Sequence, residues 1–169
     1  MHLALVKDKG PITKLLPALE RGFDSIITAD DDHTYGEGWA EGLIDWHKRI
    51  PTSVLCYRGR IFDSSREYNS SKVITRVHRK VDFITSVSGV IYDRAFFNDN
   101  IYKEWKQWKM NDDIIVSAHL KKNGIPMEVV PFPTGCTVGR LPVAYVNPLC
   151  NINRKNDRND RGMKKVYWK

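Results

Sequence analysis

Two groups of carboxylates carry most of the chemistry legible in this chain. Asp30-Asp31-Asp32 follows the apolar run Ile26-Ile27-Thr28-Ala29, and Asp112-Asp113 follows Asn111. Three adjacent carboxylates repel one another, and a divalent cation is the simplest compensation. In an extended chain Asp30 and Asp32 point to one side and Asp31 to the other, so one face offers two carboxylates to a single ion. Mg²⁺ and Mn²⁺ favour such oxygen ligands and bridge them to phosphates. A solvated acidic loop explains the same three letters, and the β-rich run before them is what favours a site. The second group has a structural explanation too, because Asn and Asp in a first helical turn cap free amides and suit the helix dipole. A carboxylate there is also suited to accept a proton from a hydroxyl nucleophile. Asp113 is preferred over Asp112 for that task, since Asp112 lies nearer the cap.

A metal at the first group would neutralise a bound diphosphate and stabilise the charge that builds as a sugar–phosphate bond breaks. Asp32, beside the Tyr35-Gly36 turn, is the preferred direct ligand. Asp30 would bind through water or hold a ribose, and Asp31 would be structural or lie beside a donor sugar.

The elements around these groups must deliver them to one place. His2–Val6 reads as a short strand, and Gly10-Pro11 opens a helix whose Leu15, Leu16 and Leu19 form an apolar stripe ending at Gly22. Ser25–Ala29 reads as a central strand that stops at the aspartates. Trp39, Leu43, Trp46 and His47 recur at helical spacing, and Pro51 separates that helix from the strand-like SVLCY. This alternation predicts an α/β layer architecture with a largely parallel sheet, in which ligands sit beyond the carboxyl ends of the strands. RGRIFDSSREYNSSK reads as an irregular loop, VITRV and MEVVPF as strands, and DDIIVSAHLKK as a helix capped by Asn111. Tyr102, Trp105 and Trp108 fit the apolar side of a helix better than a sugar-stacking platform. The tail from Asn151 is either an exposed helix or disordered.

The chain has 169 residues, 41% of them hydrophobic, which suffices for one domain over 1–150 followed by a basic polar tail over 151–169. A net charge of +7 favours phosphate-bearing partners without distinguishing nucleic acid, an anionic membrane surface or a nucleotide-sugar. Cys56, Cys136 and Cys150 are widely spaced and odd in number, which argues against a disulfide framework and for a reducing, cytoplasmic setting rather than secretion. No stretch reads as a signal peptide or a membrane span.

In order and spacing, GPITKLLPALE, IITADDDHTYGEGWAEGL, PTSVLCYRGR, SVSGVIYDRAFF and NDDIIVSAHLKKNGIP resemble GT-A-fold glycosyltransferases of bacterial surface-polysaccharide systems and of large DNA viruses of algae. The resemblance covers about residues 8–132. It implies a three-layer α/β sandwich with a mostly parallel mixed sheet, shortened at its N-terminal, base-binding end. It also implies inverting transfer of a sugar from a nucleotide-sugar donor to a hydroxyl of a glycan or similar acceptor. In this resemblance Asp30, Asp31 and Asp32 match the DxD-type donor motif, with Asp32 holding Mn²⁺ or Mg²⁺. Ser88, Gly89 and Val90 match a small-residue segment beside the donor or acceptor pocket, Lys14 lies near the nucleotide, and one of Asp112 and Asp113 is the base. Gly36 stands after Tyr35 where the family often has proline.

Arg58 and Arg60 flank Gly59 and suit phosphate or an anionic acceptor, or are ordinary surface residues. Other readings are a non-catalytic or split GT-A module, a metal-dependent nuclease or phosphatase, and a basic nucleic-acid binder. The last is disfavoured, since the tail intersperses aspartates with its lysines and arginines and no base-reading motif is present. Peripheral contact with an anionic membrane through the basic face is compatible with the charge. The donor base, sugar, acceptor and oligomeric state are not encoded in any motif.

Overall fold

Short β-branched runs with strictly alternating faces build the centre of the molecule. In a computed structural model describing residues 4–109, 111–142, 153 and 157–168, ten strands and five helices are assigned among the described residues. A 3₁₀ turn, Pro11–Lys14, leads into α1 (Leu16–Glu20), with proline early in each, where its missing amide costs nothing. There follow β1 (Ser25–Thr28), β2 (His33–Tyr35), α2 (Trp39–Arg49), β3 (Val54–Cys56) and β4 (Arg58–Ile61). Next come β5 (Lys72–Thr75), β6 (Arg79–Lys80), β7 (Phe83–Ile84), a 3₁₀ turn at Ser86–Ser88 and β8 (Val90–Asp93). The chain continues through α3 (Asn100–Gln107), α4 (Asp112–Lys122), β9 (Met127–Val129) and β10 (Val138–Arg140). It closes with α5 (Arg158–Gly162), extended by a π-helical turn over Met163–Tyr167.

The main sheet has the order β1-β8-β3-β9-β6. Along β3 and β8, Val54, Cys56, Val90 and Tyr92 face one side, where they join Leu16 of α1, Ile101 of α3 and Ile115 and Leu120 of α4. Leu55 and Ile91 face the other and pack with Leu43 of α2, Tyr57 and Val130. The result is a helix–sheet–helix sandwich, in line with the α/β expectation.

The sheet is mixed rather than mostly parallel. Among the described residues only β3 and β9 pair in parallel, with Leu55 opposite Glu128. β8 inserts antiparallel between β1 and β3, and β6 pairs antiparallel with β9. Since β8 is antiparallel to both, β1, β3 and β9 still run in one direction, and their carboxyl ends share one edge. A three-stranded sheet, β5-β4-β7, and a two-stranded one, β10-β2, lie beside this edge.

Other expectations are corrected in the same places. Residues 4–6 form no strand, and His2 and Leu3 lie outside the described residues. The segment read as an irregular loop contains β4, whose Gly59 pairs with Ile74 on one side and Ile84 on the other. Tyr102, Trp105 and Trp108 pack against the core, as their spacing suggested. The described part of the tail is docked on the core: Met163 and Tyr167 are buried with Tyr68, Phe83 and Ile114, while Arg161, Lys164 and Lys165 are exposed. Cys56 and Cys136 are free thiols, and Cys150 lies outside the described residues. No helix among the described residues is long and apolar enough to cross a membrane.

Candidate active site

The backbone leaves β1 at Thr28 and turns at Asp31-Asp32 into β2, so the three aspartates lie in a turn rather than an extended run. The turn is braced from behind. The Asp30 amide donates to Tyr35 Oη at 2.7 Å, and the Tyr35 ring lies 4.3 Å from that of Trp39. Trp39 Nε1 in turn donates to the Ser88 carbonyl at 2.8 Å. Gly89 has φ +109°, and a Cβ there would fall 2.4 Å from Trp39 Cζ2. The small-residue segment thus lets an indole approach the backbone, while Ser88 itself lines the cleft.

That cleft, about 1270 Å³, opens beyond the carboxyl end of β1 and brings both acidic groups together. Asp30, Asp32 and His33 present ligand atoms within 4.8 Å of one another, while Asp31 is exposed and outside the cluster. The turn therefore achieves the pairing of Asp30 with Asp32 by a different route from strand alternation. His33 was missed from sequence, although it directly follows the aspartates. Its Nδ1 lies 2.5 Å from Asp32 Oδ1, and its side chain is only 5% exposed. Two carboxylates and an imidazole form a donor set that fits Mn²⁺ well and Mg²⁺ through its oxygens.

Lys14 joins the two acidic groups. Its Nζ lies 2.6 Å from Asp30 Oδ1, 2.7 Å from Ser86 Oγ and 3.0 Å from Asp112 Oδ2. Burial alone would lower its pKa, but Asp112, Asp113 and Asp30 outweigh that and hold it above the ordinary lysine range. Lys14 is thus firmly cationic. Asn111 caps α4 through Oδ1, which accepts from the Ile114 amide at 3.3 Å. Asp112 and Asp113 are thereby left for the cleft rather than spent on the cap. Asp113 accepts from the Ser86 amide at 3.0 Å. Desolvation, followed by repulsion from Asp112, pushes its carboxyl up to about 7, against partial relief from Lys14.

The opposite wall carries Arg58 and Arg60, which point to the same side of β4 because they are two residues apart. Arg140 also lines the cleft, on β10, where it is registered opposite His33. Arg58 and Arg60, singled out from sequence, thus line the cleft, and Arg140, Tyr35 and Ser86 join the site from the structure. Comparison with known protein families gives no match, and none is found among curated proteins. The functional reading therefore rests on the residues themselves: an α/β sandwich with an Asp/Asp/His cluster suited to a divalent cation at the carboxyl edge of its sheet.

Proposed function

We propose that this chain is a metal-dependent, inverting glycosyltransferase domain of GT-A type, taking a nucleotide-diphosphate sugar as donor and a hydroxyl of a glycan or similar acceptor. The observation that carries this reading is the meeting, in one cleft, of the Asp30/Asp32/His33 cluster with a carboxyl tuned to about 7 at Asp113. A donor site and a hydroxyl-activating base are the two functions such a transfer requires.

Asp30, Asp32 and His33 are the residues suited to hold Mn²⁺ or Mg²⁺. When bound, the cation supplies positive charge to the diphosphate as donor and as leaving group. Lys14 adds a fixed ammonium beside it. Ser86 positions Asp113 through its amide and Lys14 through its hydroxyl. Asp113 takes the acceptor's proton as the acceptor oxygen bonds to the anomeric carbon, while the sugar–phosphate bond breaks with its electron pair going to the diphosphate. Asp112, paired with Lys14, orients the ammonium and raises the basicity of Asp113. A role in polysaccharide synthesis belongs to the same reading, and the net charge of +7 is compatible with peripheral contact with an anionic membrane.

Calorimetric titration with UDP-, GDP- and dTDP-sugars, with and without Mn²⁺, tests this directly. Metal-dependent binding lost in Asp32→Asn is expected. Equal binding by wild type and variant, or none by a folded wild type, removes the donor-site reading. One observation favours a second reading: the Lys14 ammonium already neutralises Asp30 at 2.6 Å. A non-catalytic GT-A-like module would need no further cation, and Asp32→Asn would then leave its biological activity intact.

A further inference from the structure

The wall of the cleft formed by β4 and its neighbours carries an unusual set of polar atoms. Arg58 Nε, Arg60 Nε, Thr85 Oγ1 and Asn153 Oδ1 are all buried without a hydrogen-bond partner among the described residues. All four side chains line the one cleft. Thr85 is 8% and Asn153 4% exposed, so water does not readily serve them. Unpaired buried polar groups are costly, and four of them on residues that line one cleft mark a wall whose bonding a ligand completes.

The two arginines differ in what holds them. Arg60 Nη1 donates to Ser71 Oγ at 3.0 Å and to the Tyr68 carbonyl at 3.3 Å, and its guanidinium lies 4.2 Å from the Tyr68 ring centroid. Its orientation is fixed while its Nε is left over. The Arg58 guanidinium makes no hydrogen bond or ion pair among the described residues. Burial, then the neighbouring Arg60, lowers its pKa, with weaker opposing pulls from Tyr68 and Asp113. Two guanidiniums on one face of β4 with no carboxylate partner among the described residues repel, and an oxyanion between them removes that repulsion with directed bonds.

We infer that Arg58 and Arg60, with the Thr85 hydroxyl, form a subsite for an oxyanion carried by the acceptor, so that the acceptor is an acidic sugar bearing a carboxylate or phosphate, while Asn153 Oδ1 accepts from a hydroxyl of the same sugar. The assignment to the acceptor rests on the glycosyltransferase reading and on position. The Thr85 amide donates to the Arg58 carbonyl at 3.0 Å, and the next residue, Ser86, donates its amide to Asp113, the hydroxyl-activating carboxylate, at 3.0 Å, which sets the arginine strand beside that carboxylate. A negative group held by the arginines places a hydroxyl of the same sugar toward Asp113, and a neutral sugar leaves the two Nε–H groups without an anionic acceptor. Selectivity for acidic over neutral acceptors follows from that difference.

The arginine Nε–H groups are directly observable by ¹⁵N–¹H NMR, which gives a readout independent of turnover. The full chain is titrated in parallel with glucuronate, inorganic phosphate, neutral glucose and UDP with Mg²⁺. Glucuronate or phosphate is expected to shift the Arg58 and Arg60 Nε–H signals while glucose leaves them in place. Glucuronate shifting them more than phosphate identifies a carboxylate-bearing acceptor, and the reverse a phosphorylated one. Arg58→Gln is expected to weaken the effective anion at least tenfold, and Arg58→Lys to recover only part of that loss, because a lysine keeps the charge without the planar fork. Melting curves of both variants exclude a folding defect. Equal response to glucose and the anions, or response only to UDP with Mg²⁺, overturns the inference, the latter by assigning the arginines to the donor. If UDP binds nowhere while glucuronate still moves both signals, the anion subsite stands and the donor-site reading fails.

Discussion

Asp113 shows how one residue couples folding to pH. Its carboxyl is pushed up to about 7 in the folded protein, from an ordinary value of 3.8. Between those values the folded chain holds a proton that the unfolded chain has released. Stability contributed by the protonated group is therefore present at low pH and is lost as pH rises toward 7, after which the penalty is constant. Asp113→Asn removes the ionisation and keeps an oxygen to accept from the Ser86 amide. The variant is expected to be more stable than wild type at pH 8 by on the order of 1–3 kcal/mol and to melt correspondingly higher, with the gap closing near pH 4. Parallel melting temperatures across that range would refute the burial cost. Stability gained alongside activity lost is the signature of a group placed for chemistry rather than for the fold.

At the scale of elements, the contact between Trp39 and Gly89 ties α2 to the turn that carries Ser86 and Ser88. Gly89→Ala places a methyl within 2.4 Å of the indole at a φ that L-residues rarely adopt. A loss of about 2–4 kcal/mol is expected from urea unfolding. A variant within about 0.5 kcal/mol of wild type would mean that the indole moves aside freely. The elements legible in the sequence are those whose signals are local. β1 is a compact β-branched run, α2 has apolar residues at helical spacing, and α4 has both a cap at Asn111 and a stop near Gly124. β4 was not legible, because RGRI alternates charge with small and apolar residues and becomes a strand only through pairing with β5 and β7. The antiparallel insertion of β8 is likewise a matter of long-range pairing, invisible to local periodicity. The acidic half of the site could be read because carboxylates in series demand an explanation. His33 could not, since a lone histidine carries no such demand until the turn folds it back on Asp32.

For the molecule as a whole, the described C-terminal segment acts as a clasp over the basic wall of the cleft. Asp160 accepts from the Tyr68 amide at 2.5 Å and from Asn69 Nδ2 at 3.1 Å, while Asn159 Oδ1 accepts from Asn111 Nδ2 at 2.9 Å. Tyr167 donates to the Asp82 carbonyl, and Trp168 Nε1 to that of Arg66 at 3.0 Å. The segment thus touches the loop beside Arg60, the strand region before β7 and the cap of α4 that presents Asp112 and Asp113. Its polar composition conceals this role, because only Met163, Val166, Tyr167 and Trp168 supply apolar surface. Met163 is fully buried against the cluster containing Phe83 and Ile114. Met163→Ala is expected to cost about 2–4 kcal/mol, whereas the exposed neighbour Lys164→Ala is expected to stay within about 0.5 kcal/mol. Hydrogen exchange locates the effect: amides of α4 and β7 should lose protection in Met163→Ala, since those elements form the other side of the contact. Loss confined to residues 158–168 would instead describe a segment that frays alone, leaving both carboxylates of α4 positioned by their own cap and by Lys14.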